Sequence, residues 1–465
     1  MKRIHILTLS LALIAAASCK KYVDTPLPKN ELVSELVFTD DKTATAAMVG
    51  LYSNMNAFNY YYANVLMNYL TAMQADDLYY LSTFANYDVF RQNSLLPSSQ
   101  YVQSMWKDQY AYIYHANACI EGLTAAAALT PAVKNQLLGE AHFMRAFLHF
   151  YLVNMYGDVP LITTTNYLVN NVKPREKTAV VYDTIISDLI TAKKLMTDNY
   201  PSTNRVRPNK AAATALLARV YLYTKQWAAA ETEASLVLNN SLYSLLKDLN
   251  GVFLANSREA IWQLQPVNVA GGRNTWEGFT STPATATASP AFRLDTTNLI
   301  AKFETGDLRL ANWTGFRKLT TGATVYFPFK YKVRTNPTTV TTLTEYSMVM
   351  RLAEQFLIRA EARIQQDKLN EGRADLDSIR LRAGLTALPT NLDKAALLLA
   401  VEKERKLELF VEWGHRWFDL KRTNRATAVL GPVKGSFWQA TDTLYPIPTN
   451  AIKTNIYLEQ NEGYK

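Results

Sequence analysis

Three pairs of carboxylates could in principle cleave a glycosidic bond, which needs two carboxyl groups on either side of it. They are Asp76 with Asp77, Glu304 with Asp307, and Glu408 with Glu412. Adjacent Asp76 and Asp77 need not converge. Glu408 and Glu412 lie one helical turn apart amid Arg405, Lys406 and Arg416, a pattern that structural ion pairs explain better than catalysis. Of the histidines, His5, His115, His142, His149 and His415, only His142 and His149 are spaced to share a helix face, and no HExxH stands in the chain. Cys119 sits in the apolar stretch "YHANACIEGL" without metal-ligating neighbours and reads as a buried small hydrophobe. No phosphate loop or dinucleotide fingerprint is present, and "AGGRN" is only a glycine turn. The expectation is no catalytic site, no metal and no cofactor.

Binding asks for other groups. An aromatic ring stacks on the apolar face of a pyranose, while Asp, Asn, Gln and Arg pair with its hydroxyls. Two clusters offer that set. In "QADDLYYLSTFANYDVFRQNSL" they are Tyr79, Tyr80, Phe84 and Tyr87 with Asp76, Asp77, Asn86 and Arg91. The second comprises Trp276, Phe279, Trp313 and Tyr326. Each ring has a core role as its alternative, and Asp77 could simply cap or pair at a helix end.

These residues must be carried by a largely helical chain. Its 465 residues are 48% hydrophobic, with 27 tyrosines and 8 tryptophans, which argues for a packed fold. The formal charge of +9 is scattered, without the patch or stripe that nucleic-acid binding needs. Lys2, Arg3, the apolar run Ile6 to Ala17 and the small residues before Cys19 form a signal peptide over 1–18. "IAAASC" then reads as a lipobox with Cys19 as the acylated residue, and 19–40 as its tether.

Residues 41–260 read as mainly helical. "PAVKNQLLGEAHFMRAFLHFYLVNMYGDVPLI" carries Phe143, Phe147 and Phe150 beside Met144, Leu148, Tyr151 and Met155 on adjoining stripes, with Gly157 and Pro160 as the stop. "PNKAAATALLARVYLYTKQWAAAETEASLVLNN" predicts a helical hairpin turning near Lys225. "QFLIRAEARIQQDKLNEGRADLDSIRLRAGL" predicts another, and an offset of 140 residues aligns the two in the tetratricopeptide style. Residues 261–345 read as an irregular, partly β insert, in which "EAIWQLQP" is a strand and "TVYFPFKYKVRT" a short strand pair with Pro328 at an edge. Residues 346–465 return to helix before an extended tail.

Taken in order, these pieces resemble the SusD/RagB family of outer-membrane nutrient-binding lipoproteins of Bacteroidetes. The resemblance rests on Cys19, on "GEAHFMRAFLHFYLVNMYGDVPLI", on "RPNKAAATALLARVYLYTKQWAAA", on "RLAEQFLIRAEA" with "LNEGRADLDSIRLRAGL", on "KERKLELFVEWGHRWFDLKRT", and on "LYPIPTNAI" with "QNEGY". It spans nearly the whole chain. It implies a mostly α fold of tetratricopeptide-like repeats with an irregular ligand-facing part, anchored by Cys19 at the cell surface. It further implies a non-enzymatic protein that captures an oligosaccharide, or a peptide as in some members, and delivers it to a SusC-like TonB-dependent β-barrel. The family's ligand contacts fall in the two regions holding Asp77, Tyr79, Tyr80, Phe84, Tyr87 and Arg91, and Trp276, Trp313 and Tyr326, without a motif that assigns each residue. A lipid-anchored glycoside hydrolase and a protein-binding helical adaptor are the competing readings.

Overall fold

The computed structural model describes residues 37–57, 62–267, 272–336 and 342–464. The leader, Cys19 and most of the tether lie outside the described residues, as do residues 268–271, which include the first two residues of the "AGGRN" turn.

The helical body starts with α1 (Asp41–Met55), capped by the Asp40 carboxylate. A π-helical segment, Tyr62–Leu70, continues as α2 (Thr71–Gln74). After β1 (Leu78–Tyr80) and α3 (Ala85–Arg91) come the two longest helices, α4 (Gln100–Ala125) and α5 (Pro131–Tyr156). Pro131 opens α5 where a missing N–H costs nothing, and Gly157 ends it at φ 73°. The broad apolar face predicted for α5 is buried nearly all round, as a helix placed between neighbours must be. The short α6 (Tyr167–Asn170) leads to α7 (Thr178–Leu195), which packs on α5.

Two helical hairpins follow. α8 (Lys210–Tyr223) and α9 (Trp227–Leu238) form the first. The second comes after the insert, whose elements in chain order are β2 (Ala260–Leu264), α10 (Trp276–Ser281), β3 (Phe292–Leu294), α11 (Leu308–Trp313), β4 (Thr314–Lys318), β5 (Thr324–Pro328) and β6 (Ser347–Arg351). α12 (Leu352–Gln365) and α13 (Leu369–Arg382) then make the second hairpin. α8 and α12 begin at 210 and 352, α9 and α13 at 227 and 369, so the repeat offset is 142 rather than 140. Each turn carries one left-handed residue at the same offset, Lys225 (φ 60°) and Asp367 (φ 61°). In this register Ala230 corresponds to Gly372, both at the contact between helices. Ala218, Ala230 and Ala234 meet Ile358 and Ala362, which packs the first hairpin on the second. The chain closes with α14 (Lys394–Leu409), α15 (His415–Arg422), α16 (Ala426–Lys434) and α17 (Thr449–Thr454), the last a helical turn within the expected extended tail.

The strands form two small sheets. β2 pairs antiparallel with β6, both wholly buried, as expected for "EAIWQLQP". The other sheet runs β1-β3-β5-β4. "TVYFPFKYKVRT" supplies one strand of it, not two. Pro328 ends β5 opposite Thr314, where the ladder stops and the missing N–H is tolerated. The order joins the 76–91 region to the insert, because Tyr79 stands opposite Arg293 and Tyr80 opposite Phe292.

Candidate functional site

β1 is only three residues long, yet it places the site. Asp77 O accepts the Asp295 amide at 2.9 Å, so the chain after β3 turns back beside the chain before β1. The Asp295 carboxylate holds that turn by accepting the amides of Thr297 and Asn298 at 2.9 and 2.7 Å. On the far wall, Lys434 at the end of α16 donates to the carbonyls of Met73 and Arg91 at 2.9 and 2.7 Å. Gly435 at φ 59° then turns the chain so that Phe437, half exposed, faces solvent.

Between these walls lies an open cleft of about 600 Å³ lined by Asp76, Tyr79, Arg91, Gln92, Asp295, Asn298, Lys434 and Phe437. Tyr79 and Phe437 offer ring faces, and the remainder supply donors and acceptors. Asp76 is held at φ 70°. Burial pushes its carboxyl up to about 6 against the opposing pull of Lys406, with Asp77 adding to the rise. Burial likewise pushes the Lys434 ammonium down to about 8.

The predicted site residues separate into groups. Tyr79 and Arg91 line the cleft. Asp77 is fully buried behind it, 3.1 Å from Lys406 Nζ, so it serves the scaffold and not a ligand. Tyr80, Phe84 and Tyr87 pack on one another, with Tyr87 centroids 4.9 Å from Tyr80 and 4.7 Å from Phe84. Tyr87 is buried and stacks on Tyr101, whereas Phe84 keeps an exposed face. Trp276 is half-buried. Its indole donates to Asn56 O at 3.2 Å and the Arg273 guanidinium covers its ring at 3.4 Å. Trp313 is completely buried and donates to Leu249 O at 2.9 Å, so it is a wall of the core and not a ligand platform. Tyr326 lies beside exposed Phe316 in a separate depression of the sheet, with ring centroids 6.4 Å apart. Sequence reasoning missed Gln92, Asp295, Asn298, Lys434 and Phe437. A lone aromatic after a glycine, as in "GSF", was the one available signal.

Two of the three carboxylate pairs, Glu304 with Asp307 and Glu408 with Glu412, are committed elsewhere. Glu408 accepts from Arg351 at 2.6 Å and also from Arg382, with Arg309 at 3.3 Å. Burial alone would raise its pKa, but Arg382, Arg351 and Arg309 hold it well below the usual carboxylate range. Glu412 is gripped by Arg351 and Lys330 at 2.8 and 2.5 Å. Glu304 is held down to about 2 by hydrogen bonds from Arg380 and then Lys403, and Asp307 forms a two-pronged pair with Arg309. The helix signatures noted in the sequence have the same role. Glu140 ties α5 to Tyr52 and Arg207, Arg145 ties it to Asp188, and Arg405 ties α14 to Asp419. Cys119 is buried and its thiol is pushed up to about 12, mainly by that burial. Among the described residues no group of three or more His, Cys, Asp or Glu is placed to hold a metal. None of the described helices is long and apolar enough to cross a membrane.

Fold and cleft together define a helical-repeat protein with an open, polar-and-aromatic binding cleft and its charged side chains tied into the scaffold. The model of the SusD family matches residues 197–464, and a second, described as "Starch-binding associating with outer membrane", matches 22–222. The chain belongs to the SusD family. A SusD-like protein of Formosa agariphila is 23% identical over the whole of both chains. The starch-binding protein SusD of Bacteroides thetaiotaomicron is 26% identical over 72% of this chain and 74% of its own. Among solved structures, a SusD superfamily protein from Bacteroides vulgatus superposes with a TM-score of 0.79 at 20% identity, covering 92% of this chain and 99% of that one. One described as "Laminarin binding SusD-like protein" superposes at 0.77 and 24% identity, covering 92% and 100%.

Proposed function

We propose that this chain is a cell-surface lipoprotein that captures an oligosaccharide in the cleft between β1, the 295–298 turn and α16. In this reading it then delivers the sugar to a SusC-like TonB-dependent barrel. The observation that carries this is the cleft's lining: Tyr79 and Phe437 rings stand among Asp76, Arg91, Gln92 and Asn298 in one open space. Rings for C–H faces and side-chain amides and ions for hydroxyls are what a sugar requires. The laminarin-binding neighbour and the starch-binding relative support a glycan over a peptide. In this reading the protein binds without cutting: Glu304, Asp307, Glu408 and Glu412 are consumed by arginines and lysines away from the cleft, and Asp76 lacks its partner there because Asp77 is buried against Lys406. Chromatography of oligosaccharides incubated with the chain tests this, with unchanged sugars expected and shortened products refuting it. Cys19 anchors the chain, since two or more acyl chains at about 0.8 kcal/mol per buried CH₂ give stable attachment. Cys19→Ala is therefore expected to leave a folded protein that moves from the membrane fraction to the soluble one. Unchanged membrane retention would refute the anchor.

A further inference from the structure

Two cations line the cleft, and they are held differently. The Arg91 guanidinium is half exposed and lies 3.9 Å from Asp88. The Lys434 ammonium is spent on main chain, donating to Met73 O at 2.9 Å and to Arg91 O at 2.7 Å. These carbonyls belong to the final turn of α2 and the last residue of α3, 361 and 343 residues earlier in the chain. Carbonyls at a helix C-terminus carry the negative end of the helix dipole, so a cation is favoured there. One ammonium therefore ties the end of α16 to two helix ends at once.

Those two ends carry one side of the cleft. Ala75 to Asp77 lead from α2 into β1 and its Tyr79. Gln92 follows Arg91, and its amide donates to Asp88 O at 2.8 Å to close α3. A second lysine holds the 75–77 turn from behind, with Lys406 Nζ 3.1 Å from Asp77 Oδ1 and 3.9 Å from Asp76 Oδ2. Lys406 does not line the cleft, so Lys434 is the hold on the open side.

The other side of the cleft depends on the same group. Pro432 lies inside α16 and removes an internal hydrogen bond from its last turn. The side-chain anchor of Lys434 then carries more of the burden of fixing that end. Gly435 turns the chain immediately at φ 59°, and Phe437 follows two residues later. Trp438 behind it meets Trp417 edge-on, with ring centroids 6.4 Å apart. Where Phe437 stands relative to Tyr79 is thus set by where α16 ends, and Lys434 is that end.

We infer that Lys434 is a positioning residue of the sugar site: its ammonium clamps the ends of α2, α3 and α16 together and so sets Tyr79, Arg91 and Phe437 against the sugar. This rests on the capture reading above and adds what keeps the cleft in shape. The clamp can be titrated. Burial pushes the ammonium down to about 8; Asp76 opposes this, Arg91 adds to it, and Asp295 and Asp77 oppose it. The charged clamp is present below that value and is lost as pH rises through it. A neutral amine keeps two N–H groups, but its hydrogen bonds lose the strength that charge gives them. A guanidinium stays charged throughout. Burial also lowers Lys330, Lys332 and Lys421, yet none of them lines the cleft.

The test is calorimetric titration of the intact purified lipoprotein at pH 7 and pH 9, beside Lys434→Arg and Lys434→Met. The probe is a panel of oligosaccharides that includes the laminari- and malto-series. The unaltered chain is expected to bind at pH 7 and to lose about threefold or more in affinity at pH 9. Lys434→Arg is expected to bind without that fall, and Lys434→Met to bind about tenfold more weakly at both pH values. Melting temperatures show which variants are folded. Where Lys434→Met is not, the pH profiles of the unaltered chain and of Lys434→Arg decide. Equal affinity of folded Lys434→Met and the unaltered chain at pH 7 overturns the inference. So does an unaltered chain whose affinity is the same at both pH values, or a Lys434→Arg variant that falls as the unaltered chain does. Each of these leaves capture standing. If the unaltered chain binds no member of the panel at either pH, the capture reading falls and this inference with it.

Discussion

Asp76 combines the two kinds of tension found at this cleft, a left-handed backbone and a buried charge. Its folded pKa of about 6 stands above the unfolded 3.8, so ionisation opposes folding. That cost is absent below the unfolded value, grows as pH rises between the two, and is fully present above about 6. Asn accepts positive φ and carries no charge. Asp76→Asn should therefore stabilise the protein at pH 8 by on the order of 2 kcal/mol and have little effect at pH 3.5, as read from melting temperatures at both pH values. The opposite case is Arg351, which joins Glu408, Glu412 and Glu259 in the core. Arg351→Ala removes the guanidinium these three buried carboxylates share and leaves them only Arg382, Arg309 and Lys330, which should cost roughly 3–5 kcal/mol, checked by denaturant unfolding. At this scale the sequence was only partly readable. It named Tyr79 and Arg91, but it could not separate them from buried Trp313 and Tyr87, because a ring's exposure depends on what packs over it. Asp295 and Asn298 were invisible for a related reason: their place depends on β3, which has three residues and shows no period.

Among the elements, the two hairpins show why small residues matter. An added Cβ at Gly372 would lie 2.5 Å from Ile364 Cγ1 and 2.9 Å from Ala360 O, so α12 and α13 could not keep their spacing. Gly372→Ala should destabilise by about 1–3 kcal/mol through this overpacking, despite the better helix propensity of alanine, and the melting temperature reports it. The helices themselves were legible from long runs of helix-forming residues that end at turns, Gly157 and Pro160 after α5 and the tight turn near Lys225 after α8. Their mutual register was misread by two residues because Ala and Leu recur along both hairpins and align almost as well out of phase. Left-handed Lys225 and Asp367 give the true offset, and neither residue type announces that conformation. The sheet β1-β3-β5-β4 was missed as a unit, since β1 pairs with β3 across more than 200 residues of chain.

Across the whole molecule, a helical-repeat body carries a polar-and-aromatic cleft between β1, the 295–298 turn and α16. The family's sequence signatures, Glu140 with Arg145 and Glu404 with Glu408, serve the body and not the cleft, so they identify the fold and leave the ligand open. The central claim is that the cleft captures a sugar through Tyr79 and Arg91. Calorimetric titration of the purified lipoprotein with a panel of oligosaccharides, alongside its Tyr79→Ala/Arg91→Ala variant, tests it most directly. The account predicts that at least one oligosaccharide binds the unaltered chain and that the double variant weakens it about tenfold or more, about 1.4 kcal/mol at the least. An oligosaccharide bound equally well by both, or a panel in which only peptides bind, would contradict it.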